Sequence, residues 1–413
     1  MLISKDKNPM FFIILMFIML LFTNQSSNGL YVGSDYGMIS VFHIKINTIF
    51  MLLSICFISF MYNLKNIYFD KVALLLFISA VLGLIPLMYS KNIDNYIGNY
   101  IPVVIAFFSY WICLQATKDY YKYIYRVFMF VTIVISLQVI STEINFFNTL
   151  SLINFNDHYA KGSMIIPIGS SNLIACFLLP LILFLLVYKK NLITFSVVIL
   201  GLYALLLCRS KNALIIFAAI CILVPLYRVV KYIIKDQTVS SKLKISFLGF
   251  ITLIGFIFFT LLINLSEFLI NDLSFNYFSS LSNPFLNYLD RISSGRVTVY
   301  LDQLSKLNNS IFWGNGFGYS FGETKSHNWI IDALVQKGII GTIIFIMALF
   351  LIFKKSSFYL KDKFVTSTLV LLSLILLQGM FEISIFTAGI DFLFWSMAGL
   401  LMSRIQFLNS IKV

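Results

Sequence analysis

Charge is what this chain has least of. Only 11% of its 413 residues are Asp, Glu, Lys or Arg, against 60% that are hydrophobic, whereas a soluble globular chain carries about 25% charged residues on its surface. A water-soluble fold is therefore excluded, and the 43 Phe point the same way, being more than any soluble core of this length needs. Cysteine is sparse. Cys56, Cys113, Cys176, Cys208 and Cys221 all fall inside apolar runs, where they act as small apolar residues, so neither a disulfide framework nor a thiolate metal site is present. Carboxylates are scattered as well. Asp35, Asp290, Asp302 and Glu323 are far apart in sequence, and no paired motif outside the apolar runs provides the oxygen cage that a divalent cation needs. Internal repeats, low-complexity tails and a separate soluble domain are absent too, which removes solenoids and multidomain arrangements.

What remains is hydrocarbon. A helix crossing about 30 Å of bilayer core needs about 17–25 predominantly apolar residues, and such runs recur near 9–23, 44–62, 72–89, 100–116, 127–145, 164–188, 192–208, 212–228, 245–265, 339–353, 364–385 and 387–403. The expectation is an all-α polytopic membrane protein of about twelve transmembrane helices. It divides into helices over 1–265, one large loop over 266–338 and further helices over 339–413, all in one integrated membrane domain. Orientation follows from Lys and Arg, which are retained on the cytoplasmic side. Of the 30, twenty fall in loops on the side of the N-terminus and nine, Lys337 among them, on the other. Both termini are expected in the cytoplasm and the large loop outside it. The formal charge of +13 is then a topology signal, not a nucleic-acid footprint. The first run, MFFIILMFIMLLF, imitates a signal peptide, but TNQSSNG after it offers no convincing cleavage site, and an uncleaved first span is expected.

The large loop holds most of the polar chemistry. Phe268, Leu269 and Ile270 suit the bilayer interface. The stretch from Arg296 to Leu307 has helical periodicity, with Val297, Tyr300, Leu301 and Leu304 on one face and Asp302 paired with Lys306 at i, i+4. GNGFG, from Gly314 to Gly318, tolerates positive φ, so Gly314 and Gly316 allow a tight turn or close approach to a ligand. A second helix is expected from an N-cap at Ser326, through His327, Asn328, Trp329 and Asp332, to a stop at Gly338.

These residue types suit an anionic ligand. Arg291 and Arg296 offer planar forked donors that match phosphate, and a helix N-terminus adds N–H groups and partial positive charge. An imidazole accepts a proton from a hydroxyl at neutral pH, which makes His327 a candidate general base; a surface histidine closing its own helix is the simpler alternative. His158, in NDHYAKG, is a second candidate for that base. A further cationic point is the short turn Arg209, Ser210, Lys211, Asn212 between two spans, whose charges either snorkel or meet an anion. Glu382 and Asp391 are carboxylates near the ends of spans and call for partners, either a structural ion pair or the cationic cluster and acceptor hydroxyls. Trp111, Trp313, Trp329 and Trp395 read as interfacial anchors, although Trp329 beside His327 also suits stacking on a sugar.

In order, SKNAL at a span boundary, SGRVTVYLDQL, GNGFG and SHNWIIDALVQKGIIG leading into a span resemble the O-antigen ligase and polymerase family of bacterial glycan-assembling membrane enzymes. GSSNLIACFLLPLI, from Gly169 to Ile182, is similar to that family's middle spans. The pattern covers roughly 170–345 and lies in the order of the motifs more than in any one of them.

The resemblance implies an integral-membrane glycosyltransferase with a GT-C-like architecture at the outer face of the bacterial inner membrane, and the scattered carboxylates lead to the expectation that it needs no metal and no other cofactor. Such enzymes move a glycan from an undecaprenyl diphosphate carrier to a hydroxyl of an acceptor glycan, and a chain-length regulator protein is an implied partner. By resemblance, His327 is the loop histidine that activates or orients the acceptor hydroxyl, and Arg296 is the loop arginine that holds the diphosphate. Lys211 matches the first cation of the family, with Arg209 the competing assignment. Arg291, Asn328, Trp329, Gly314 and Gly316 are further candidates for binding substrate. The SKNAL form and the loop spacing favour a polysaccharide polymerase, with the ligase, which transfers to lipid A core, as the alternative. A transporter or lipid-linked glycan flippase is the competing class, but a carrier concentrates polar groups at the midplane in two related halves, and this sequence does neither. A scaffold protein is the third class.

Overall fold

The computed structural model describes residues 68–89, 93–116, 120–143, 168–208, 212–222, 296–305, 310–317, 326–382 and 388–412, with a few isolated positions between them. The predicted spans at 9–23 and 245–265, and 44–62 apart from its first two residues, lie outside the described residues, as do Arg209, Lys211, Arg291 and His158. Two short antiparallel pairs are present. Strands β1 (Ser40–Val41) and β2 (Ile44–Lys45) form one, and β3 (Ile165–Ile166) and β4 (Gly169–Ser170) the other.

The described residues are otherwise mostly helical: α1 (Lys71–Leu82), α2 (Ile93–Leu114), α3 (Tyr120–Glu143), α4 (Ser171–Tyr188), α5 (Leu192–Leu207), α6 (Asn212–Ile222), α7 (Arg296–Ser305), α8 (Trp329–Ser357), α9 (Lys363–Gln378) and α10 (Ala388–Lys412). Four stretches are helical, long and apolar enough to cross a membrane: Lys71–Met88, Tyr123–Thr142, Ser171–Tyr188 and Trp329–Ser357. The chain falls into two compact units, Met1–Leu214 with Lys306–Val413, and Ile215–Ser305. That boundary divides the predicted loop 266–338.

In the first unit α2 packs chiefly on α10, α4 on α9, α3 on α5 and α1 on α8. Helix ends are tied by side chains where the backbone runs out of intrahelical partners. Asp70 caps α1 by accepting from the Ala73 N–H at 2.8 Å, and its other oxygen accepts from Tyr110 on α2 at 2.9 Å. Asp362 caps α9 and also receives Arg404 of α10, Nη2 to Oδ2 at 2.7 Å. Trp395, expected at an interface, is 1% exposed. Its ring lies edge-on against Tyr110 and Phe345, centroids 6.3 and 5.7 Å away, because α10 inserts between α2 and α8.

The Gly338 stop expected from the sequence is a break within α8. Its φ of 63° and ψ of −173° belong to a region open almost only to glycine. A break orphans backbone groups on both sides, and the segment 311–316, which runs into GNGFG, satisfies them. Asn315 and Gly316 donate to the carbonyls of Val335 and Gln336 at 2.7 and 3.1 Å, while Ile339 and Ile340 donate to Ile311 and Phe312 at 3.0 and 3.3 Å. A Cβ on Gly338 would sit 2.3 Å from the Phe312 carbonyl oxygen, and one on Gly314 would sit 2.4 Å from the Gly338 nitrogen. The close approach foreseen for GNGFG is therefore made to a broken helix. Phe317, in the same segment, is buried between Tyr96 and Tyr100 of α2, centroids 5.8 and 5.5 Å away.

Candidate active site

The chain reverses at His327, whose φ is 57°, costing about 1–2 kcal/mol for a residue with a Cβ. This reversal moves the N-cap from Ser326 to Asn328, which accepts from the Ile330 N–H at 2.9 Å and the Ile331 N–H at 3.5 Å. Ser326 is freed for another task. Fully buried, it donates to Asp332 Oδ1 at 2.6 Å and accepts from the Asn328 N–H at 3.0 Å. His327 thus precedes the helix instead of occupying its first turn. Backbone strain of this kind concentrates where geometry is over-determined, often at functional sites.

The imidazole meets a carboxylate. Nδ1 of His327 lies 3.4 Å from Oε2 of Glu382, and the side chains are 35% and 7% exposed. At this distance the two are close without a hydrogen bond, and Nδ1 is buried with no hydrogen-bond partner among the described residues. The other oxygen of Glu382 accepts from Nδ2 of Asn212 at 2.6 Å. A buried carboxylate held by an amide on one side therefore faces a half-exposed imidazole on the other.

The segment after α9 is stitched to the start of α8. The Trp329 N–H donates to the Gly379 carbonyl at 2.9 Å, and the indole N–H donates to the Leu376 carbonyl at 3.0 Å. The Trp329 ring packs on Phe345, 5.9 Å between centroids, so it serves as a strut in this state. Gly316, with φ of 86°, faces the Tyr96 ring and Pro86. In the second unit, Arg296 is the half-buried first residue of α7. That helix is capped from a distance by Asp290, which accepts from the Thr298 N–H at 2.8 Å and the Thr298 hydroxyl at 2.7 Å. Leu301 and Leu304, on its predicted apolar face, are 44% and 38% exposed.

Lys337 is the residue that sequence reasoning misplaced. Counted above as a loop charge, it is 6% exposed, in a small cavity of about 10 Å³ with Ser79, Phe345, Phe386, Asp391 and Trp395 on its walls. The available signal was its position directly before the Gly338 break, with IIG following, which puts the ammonium under the bend instead of in water. Asn212 carried the same kind of signal, as the polar residue starting an apolar helix. Among the described residues no group of His, Cys, Asp and Glu is arranged to hold a metal ion. No model of a known protein family matches the chain, and no curated protein matches it.

Proposed function

We propose that this chain is a polysaccharide polymerase of the O-antigen type, a multi-pass protein of the bacterial inner membrane with about twelve spans and cytoplasmic termini. In this reading the segment 266–338 faces outward, where lipid-linked glycans are presented. The observation that carries the reading is the His327–Glu382 contact at 3.4 Å, with Asn212 holding the far oxygen. It supplies a base and a buried carboxylate beside the imidazolium that would form.

In the proposed reaction, Nε2 of His327 takes the proton of an acceptor sugar hydroxyl as its oxygen forms a bond to the anomeric carbon of the donor. The bond from that carbon to the diphosphate oxygen breaks, and undecaprenyl diphosphate leaves with the electron pair. Negative charge develops on the diphosphate, and Arg296 with Lys211 or Arg209 are the cations assigned to it. Loss of one preorganised donor of this kind typically costs about 10²–10³ in rate. Ligase chemistry, with lipid A core as acceptor, uses the same groups.

The test is repeat-unit polymer in membranes expressing His327→Ala at normal abundance. Loss of polymer beyond a single repeat is expected, and normal polymer would remove the proposal.

A further inference from the structure

The reading of His327 leaves Lys337 unused, although burying an ammonium is expensive unless something holds it. Three rings and two polar groups do so. Nζ lies 4.7 Å from the centroid of Phe345, 4.8 Å from that of Phe386 and 6.0 Å from that of Phe317. Ser79 Oγ is 3.4 Å away, and Asp391 faces the same cavity.

The origins of these rings matter more than their number. Phe317 belongs to the GNGFG segment that hydrogen-bonds across the Gly338 break, and Phe345 belongs to α8 beyond it. Phe386 lies between α9 and α10, four residues after Glu382. Among the described residues it shares with His327 alone the distinction of a positive φ without being glycine, at 69°. Its N–H donates to Asp391 Oδ1 at 3.2 Å. The stretch from Trp329 to Lys337 is thus tied at both ends to the α9–α10 connector. At one end Trp329 bonds to the Gly379 carbonyl and His327 faces Glu382; at the other, Lys337 is held against Phe386.

We infer that Lys337 is a positioning residue: its caged ammonium fixes the broken first segment of α8 against the α9–α10 connector and so sets the separation of His327 from Glu382. The inference rests on the proposed role of His327 for its relevance to catalysis, but its geometry is testable without any turnover.

The test uses the full-length membrane protein with its five native cysteines replaced by alanine. One pair, His327→Cys with Glu382→Cys, reports the site. A control pair, Asp362→Cys with Arg404→Cys, reports the α9–α10 clamp at the other end of α9. A short thiol-specific bifunctional reagent is then applied with Lys337, with Lys337→Met, and with Lys337→Arg. Loss of a desolvated cation–π contact corresponds to a shift of about tenfold or more, so Lys337→Met is expected to slow crosslinking of the site pair by about that factor and to leave the control pair unchanged. Lys337→Arg, which keeps the charge, is expected to recover most of the rate. An unchanged site-pair rate in Lys337→Met overturns the inference. A parallel loss in both pairs also overturns it, since Lys337 would then be a general stabiliser. If Lys337→Met does not accumulate, Phe386→Leu removes one ring with less loss of volume, and the same readings apply. Should His327→Ala make normal polymer while the crosslinking behaves as expected, the function fails and the positioning role stands.

Discussion

Glu382 does two things at once, and the two can be separated by substitution. Its carboxylate accepts from Asn212 and it faces Nδ1 of His327, where in the proposed reaction it offsets the positive charge that the ring would acquire on taking a proton. Glu382→Gln keeps the shape but removes the charge that faces the imidazole. A positioned acid–base group contributes about 10²–10⁴ in rate, and the expected fall in polymer formation for Glu382→Gln is about 10² at equal membrane abundance. Asn212→Ala is expected to be milder, because the carboxylate keeps its charge and loses one hydrogen-bond donor. Wild-type rate in Glu382→Gln would reduce the contact to a structural one. The strained φ of 57° at His327 belongs to the same scale: it brings the ring round to Glu382, and it is the reason Asn328 and not Ser326 caps the helix.

At the scale of elements, the site depends on a broken helix and the loop that repairs it. Gly338→Ala puts a Cβ 2.3 Å from the Phe312 carbonyl oxygen in a backbone region that L-residues rarely enter, so either the clasp opens or the break straightens. The expected cost is about 3 kcal/mol or more, read as a fall in melting temperature in detergent or in membrane abundance. Gly314→Ala meets backbone on the facing strand of the same clasp, 2.4 Å away, and is expected to behave alike. Equal stability of both variants would mean that the clasp contributes nothing. Much of this element was legible. Periodicity located α7, the length of apolar runs located the later helices, and the Gly338 stop and the flexibility of GNGFG were read from residue type alone. Their meeting was not, because pairing between a loop and a helix break more than twenty residues away leaves no local pattern. Lys337 shows the reverse failure. A loop-based charge count treats every lysine as solvated, and only packing reveals that this one lies among Phe317, Phe345 and Phe386.

For the molecule as a whole, the proposed function leaves a choice between two acceptors served by one chemistry. In the proposed function His327, Glu382 and the assigned cations would handle a donor diphosphate and a sugar hydroxyl in either case, so no substitution among them distinguishes polymerase from ligase. The distinction lies in what accumulates when the whole protein is removed. A polymerase extends a lipid-linked chain before transfer, so its loss leaves the ligase active, and a single repeat unit is joined to the lipid A core. Loss of a ligase has the opposite effect: polymer is made but stays on undecaprenyl diphosphate, and the core is bare. Disruption of this gene is expected to give the single-repeat pattern on a gel of extracted lipopolysaccharide, with the polymer restored by the intact chain and not by His327→Ala. Lipid-linked polymer above a bare core would transfer the assignment to the ligase while leaving the roles of His327 and Glu382 in place. An unaltered pattern would instead remove both acceptors, and the buried Lys337 and Asp391 would then be the place to look for a transport function, since ionisable groups inside membrane proteins commonly mark a substrate path.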